Sequence, residues 1–188
     1  MLVTLSILLE NKPGALMRVV GVLVARNYNI ESLTVARTMD ETLSRMTIVV
    51  DVEHKVRAQV VKQLNKLVNV LQAQDLTDER SVAREMVLLR VRAEMSSRTA
   101  ILKEAEIFAA RIVDSSVEGF AIECTGDPEK LDEFVDLMRS YGEIEVTRSG
   151  LVAVTLEPKK LRLASPIPMG AAEEEQEQEQ EQERAISK

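Results

Sequence analysis

The sequence predicts an α+β fold of two successive βαββαβ units, followed by an acidic low-complexity segment. Two observations carry that expectation. Apolar spacing changes from alternation to helical repetition and back in one fixed order, and the order occurs twice. The periodicity then stops at Pro158 and gives way to a Glu/Gln run.

In the first unit, Val3, Leu5, Ile7 and Leu9 alternate with Thr4 and Ser6, which is the period of a half-buried strand. Asn11-Lys12-Pro13-Gly14 is a turn signal. Leu16, Val19, Val20, Leu23 and Val24 then repeat at helical spacing and predict an amphipathic helix over 14–26. Asn27 and Asn29 punctuate the next turn. Residues 30–37 read as a strand and Met39-Asp40-Glu41 as a hairpin connection. Met46, Ile48, Val50 and Val52 alternate with Arg45, Thr47 and Asp51 and predict a third strand. Val56, Val60, Leu64, Leu67 and Val68 give a second helical stripe, and residues 70–76 close the unit as a strand.

Residues 77–84 are polar and read as a linker. Residues 86–93 are strand-like, and Ser96 or Ser97 is placed to cap a helix bearing Ile101, Ala105, Phe108 and Ala109. Strands follow over 112–115 and 120–125. Asp127-Pro128 opens a helix: Asp caps free N–H groups, and Pro at the first helical position loses no hydrogen bond. Leu131, Phe134, Val135 and Met138 form its buried stripe. Residues 144–147 and 151–156 are the last strands, with Ser149-Gly150 between them. The expected division is a first domain over 1–77, a linker over 78–84, a second domain over 85–157 and a disordered tail over 158–188.

Apolar residues make up 45% of the 188 and aromatics 3%, with no Trp, so the core must be aliphatic. The net charge is −7, but residues 173–188 carry seven Glu against Arg184 and Lys188, which leaves only −2 for the remainder. A nearly neutral body with few rings lacks both the basic footprint and the stacking platforms of a nucleic-acid binder. No apolar run is long enough to span a bilayer and no leader pattern opens the chain, so the expected location is the cytoplasm. A single cysteine, Cys124, fits a reducing compartment.

Catalytic chemistry finds little support. Cys124 alternates with Phe120 and Ile122 and reads as a small buried hydrophobe. His54 is the only histidine and cannot supply a usual zinc site without a cysteine cluster. Asp132 and Glu133, or Glu143 and Glu145, read as solvated faces, and the glycines form no phosphate-binding pattern. What remains is Asn11 to Leu16, a turn joining a strand to a helix N-terminus. Free backbone N–H groups and the helix dipole favour an anion there. Gly14 permits close approach, and Asn11 offers both a donor and an acceptor. The turn could thus meet a free amino acid's carboxylate and ammonium. On spacing alone, an ordinary capped turn is the commoner meaning.

The segments LSILLENKPGALMRVVGVLVARNYNIESLTVA, TLSRMTIVV and KQLNKLVNVLQAQDLT resemble the small subunits of acetohydroxyacid (acetolactate) synthase. The likeness is strong over 2–76 and continues more weakly over 84–156 through REMVLLRV, Glu106-Ile107-Phe108 and Arg148-Ser149-Gly150. The Glu/Gln tail is not part of the family pattern. The resemblance implies an N-terminal ACT domain, a ferredoxin-like sheet with two helices on one face, and a second domain of related topology. It implies a non-catalytic subunit that activates a large subunit carrying thiamine diphosphate, Mg²⁺ and FAD, and confers feedback inhibition by valine, leucine or isoleucine. The implied effector site lies between two ACT domains, with Asn11, Pro13, Gly14, Ala15 and Leu16 of one copy facing Asn29 and Ile30 of another. In such a sheet the second strand is an edge, and Ile30, Leu33 and Val35 on it invite pairing with a second copy. The alternative is a free-standing amino-acid-sensing ACT module acting on another enzyme or regulator.

Overall fold

A computed structural model describes residues 1–156. The tail expected over 158–188 lies outside the described residues.

The first sheet is built from β1 (Leu2–Glu10), β2 (Asn29–Arg37), β3 (Leu43–Asp51) and β4 (Val70–Asp75), in the order β2-β3-β1-β4. Helices α1 (Ala15–Val24) and α2 (Arg57–Leu64) cover one face. The alternation seen in sequence explains this: Val3, Leu5, Ile7 and Leu9 of β1 and Met46, Ile48 and Val50 of β3 meet Val19, Leu23, Val60 and Leu64 in one buried cluster. Each such side chain removed from water contributes about 1.5–3 kcal/mol.

β2 carries a bulge. Ile30 faces Val50 and Ser32 faces Val49, so Glu31 is the extra residue. Strict alternation would send Ile30 and Leu33 to opposite faces. The bulge puts both on the helix face and leaves Ser32 and Thr34 on the other.

The second unit repeats the plan. β5 (Ser81–Arg92), β6 (Arg111–Ser115), β7 (Gly119–Gly126) and β8 (Glu143–Arg148) run in the order β6-β7-β5-β8. Helices α3 (Arg98–Ile107) and α4 (Pro128–Arg139) supply Ile101, Leu131, Phe134 and Met138 to its core. Phe134 is fully buried and packs on Phe108 with ring centroids 5.2 Å apart. Asp127 caps α4 as expected, accepting from the Glu129 N–H, with Pro128 at the first turn. Both units therefore have the ferredoxin-like arrangement.

Four local expectations need correction. The polar stretch expected as a linker over 78–84 is strand from Ser81, because its backbone pairs with β9 (Val152–Thr155) from Ser81↔Thr155 to Arg84↔Val152. The first helix spans Ala15–Val24 and not 14–26. Gly14 is left-handed at its start, and Asn27 at φ 58 closes it with a Tyr28 N–H to Leu23 carbonyl bond. Val68 lies beyond the end of α2 and is exposed. Ser97 precedes α3, but its hydroxyl makes no capping bond.

The face of the first sheet away from its helices is also covered. Ser6, Thr47, Leu8 and Val49 are buried there, with Leu151 and Ala153 of the second unit against them. The Ala153 N–H points to Thr47 Oγ1 at 3.4 Å, and the Leu151 N–H donates to Ser32 Oγ at 2.9 Å. No helix among the described residues is long and apolar enough to cross a membrane.

Candidate functional site

The turn between β1 and α1 is held by its neighbours. The Asn11 N–H donates to the Thr42 carbonyl at 2.7 Å, and Asn11 Nδ2 donates to the Glu41 carbonyl at 2.9 Å. The amide thus fastens the turn to the β2–β3 hairpin and leaves its Oδ1 without a partner among the described residues. Beneath it, Glu10 accepts from Lys12 Nζ at 2.9 Å and from Asn69 Nδ2 at 2.6 Å. Those two hydrogen bonds hold the Glu10 carboxyl below the usual carboxylate range. Arg18 Nη1 donates to Asn69 Oδ1 at 3.0 Å. None of Glu10, Thr42, Arg18 and Asn69 was singled out in sequence, since three of them act across the sheet.

Gly14 sits at φ +83, a conformation that L side chains rarely adopt, and open space lies where a Cβ would project. Pro13 is exposed, Ala15 is buried against the core and Leu16 is partly buried. The Ala15 N–H is taken by the Lys12 carbonyl at 3.2 Å. The Leu16 and Met17 N–H groups have no partner among the described residues. A left-handed Gly14, two free first-turn donors and a spare Asn11 oxygen form an open polar corner. Free helix donors suit a carboxylate and the oxygen suits an ammonium.

Asn29 and Ile30 lie elsewhere in the same chain. Asn29 opens β2 opposite Asp51, whereas Glu10, just before the turn, lies opposite Leu43. Leu43 and Asp51 are the two ends of β3, eight residues apart, a span of about 27 Å at strand rise. Asn29 is exposed and its Nδ2 hydrogen-bonds to Glu31 Oε1. Ile30 packs on the core. One chain therefore does not bring the two halves of the expected site together.

Cys124 is buried, and burial raises its thiol pKa; Sγ lies 3.7 Å from the Phe108 carbonyl. His54 begins a single 3-10 turn, His54–Val56. No group of three or more His, Cys, Asp or Glu side chains among the described residues is placed to hold a metal.

Two ferredoxin-like units, the first with a left-handed glycine between its first strand and first helix, place the chain in the ACT class of folds. The finer assignment comes from comparison. Residues 5–72 match the AHAS small subunit-like ACT domain, and residues 84–157 match the small subunit of acetolactate synthase. The chain is 50% identical over 157 residues to a probable acetolactate synthase small subunit of Archaeoglobus fulgidus, covering 84% of this chain and 98% of that one. It is 43% identical over 161 residues to the acetolactate synthase small subunit of Mycolicibacterium smegmatis, covering 86% and 95%. The crystal structure of the acetolactate synthase small subunit from Thermotoga maritima superposes with a TM-score of 0.74 at 35% identity, covering 82% of this chain and 97% of that one. The chain belongs to the acetolactate synthase small-subunit family.

Proposed function

We propose that this chain is the non-catalytic regulatory subunit of acetolactate synthase in branched-chain amino-acid biosynthesis. In this reading it activates the catalytic large subunit, which carries thiamine diphosphate, Mg²⁺ and FAD. It binds valine, or leucine or isoleucine, between two ACT domains and so confers feedback inhibition in the cytoplasm.

The sheet register carries the reading. Among the described residues β2 is an edge strand, paired only with β3. A second copy pairing antiparallel along β2 sets the Asn29 end of one strand beside the Arg37 end of the other. Arg37 faces Ser44, the Asn11 turn is tied to Thr42, and the turn thus lies at that same end. Two-fold pairing therefore juxtaposes residues 11–16 of one copy with Asn29 and Ile30 of its partner, which a single chain holds about 27 Å apart. The exposed apolar side of α1, with Met17 at 69% and Val24 at 62%, gives the pair a further surface to bury.

In that cleft the effector carboxylate meets the Leu16 and Met17 N–H groups, and the Asn11 Oδ1 and Asn29 meet its ammonium. Binding then favours one geometry of the paired sheets. The large subunit responds to that geometry with a coupling free energy of about 1–3 kcal/mol.

Calorimetric titration of the purified chain with valine, leucine and isoleucine tests this, alone and with the large subunit. Saturable binding, with inhibition of the reconstituted complex, is expected. Binding without any effect on a large subunit would favour a free-standing sensing module, and no binding in either setting refutes the effector site.

A further inference from the structure

The Ser149-Gly150 turn breaks what is otherwise one strand. β8 and β9 both pair antiparallel with β5: Val87 faces Arg148 and Arg84 faces Val152. Three residues, 149–151, therefore oppose two, Glu85 and Met86. This is a bulge with its glycine left-handed, Gly150 at φ +81. It is pinned to β5 on one side: the Ser149 N–H donates to the Met86 carbonyl at 2.9 Å, and Ser149 Oγ accepts from the Met86 N–H at 3.0 Å. Arg148 reinforces that anchor through ion pairs to Glu85 and Asp132.

The other side of the bulge rests on β2 of the first unit. The Leu151 N–H donates to Ser32 Oγ at 2.9 Å, and Thr34 Oγ1 lies 3.4 Å from the Ser149 carbonyl. A Cβ built on Gly150 would stand 2.8 Å from Thr34 Oγ1 and 2.9 Å from Ser32 Oγ. Beyond the bulge, Leu151 and Ala153 are buried on the sheet face that holds Thr47. Past the bulge the strand stays paired with β5 while Leu151 and Ala153 reach the other sheet, and the first contact there is the strand proposed above to form the effector cleft.

We propose that the Ser149-Gly150 bulge is the coupling contact of the chain, passing a shift of β2 to the C-terminal sheet through Ser32, Thr34 and Met86. The transmission step rests on the effector reading above. The contact itself does not. Gly150 is required on two grounds, its positive φ and the space its missing side chain leaves for two hydroxyls. Ser32 and Thr34 share this face because they pair in regular register with Val49 and Thr47.

Amide hydrogen exchange on the full chain reads the contact with no effector present. In Gly150→Ala, exchange at Leu151, Ala153 and along β2 is expected to quicken by roughly fivefold or more. In Ser32→Ala, which leaves backbone geometry alone, only the neighbourhood of Leu151 should respond. Unchanged exchange at Leu151 and β2 in Gly150→Ala overturns the contact. In the reconstituted complex, both variants are expected to bind the amino acid within about threefold of wild type and to activate normally. Inhibition at saturating effector should be mostly lost in Gly150→Ala and partly lost in Ser32→Ala. A Gly150→Ala chain whose exchange has quickened, yet which is inhibited like wild type, overturns the transmission. A wild-type chain that binds none of the three amino acids overturns the effector reading and the transmission with it, while exchange still judges the contact.

Discussion

At the residue scale, the proposed effector corner depends on small groups with specific backbone demands. Gly14→Asp forces a side chain onto a positive φ, at about 1 kcal/mol of stability, and sets a carboxylate beside the free donors of α1. Valine inhibition of the reconstituted enzyme is expected to weaken strongly while activation survives. Asn29→Ala should weaken inhibition by about 1–3 kcal/mol of binding, read by calorimetry, because it removes a hydrogen-bonding group from the partner's side of the cleft. A second residue-scale device is Arg57, whose side chain is only 14% exposed and whose guanidinium is gripped by Asp75 and Asp78. Burial opposes ionisation of Asp75, but hydrogen bonds from Arg57 and Thr77 outweigh it and hold the carboxyl below its usual range. Its folded pKa is depressed, so its stabilising contribution is complete above the unfolded value of about 4 and fades as pH falls through the lower folded value. Asp75→Asn is expected to cost about 1–3 kcal/mol at neutral pH in urea unfolding, and the gap from wild type should shrink below pH ~4.

At the scale of elements, the helix ends show where sequence and backbone agree and where they do not. α1 ends on Asn27 in the left-handed region, a residue that tolerates it. α3 ends the same way, with the Ala110 N–H bonded to the Ala105 carbonyl, but its left-handed residue is Ala109 at φ 55. Alanine is disfavoured there, so Ala109→Gly is expected to stabilise the chain by about 0.5–1 kcal/mol, measured as a higher Tm. The α4 stripe was legible because Leu131, Phe134, Val135 and Met138 follow helical spacing behind an Asp-Pro start. The start of β5 was not legible. Ser81 to Arg84 closes a polar stretch with no clear alternation, and nothing local announces its partner, Val152 to Thr155.

At the scale of the whole molecule, the first sheet is covered on both faces. Its helix face was plain from alternation. Its other face carries Ser6 and Thr47, which look like solvent-facing positions, yet both are buried. The edge is where two copies are proposed to meet. Val35 lies on β2 and is 39% exposed. Val35→Lys sets like charges on both copies of the paired edge, and sedimentation should show a shift toward monomer together with weaker amino-acid binding. A variant that stays dimeric and binds normally would place the dimer interface elsewhere.

By itself the sequence determined the order of the elements, most of their extents and the family, because hydrophobic period, turn residues and the Asn-Lys-Pro-Gly connection are local properties of the chain. It also marked Asn11 to Leu16, since a helix start behind a left-handed glycine is a local event. Only the tertiary structure decided that Asn29 stands at the far end of the sheet from that turn, that the Asn11 amide is spent on Glu41, and that the Ser149-Gly150 bulge seats on β2. Each of these depends on strand register and on contacts between residues 30 to 120 positions apart, which no local pattern encodes.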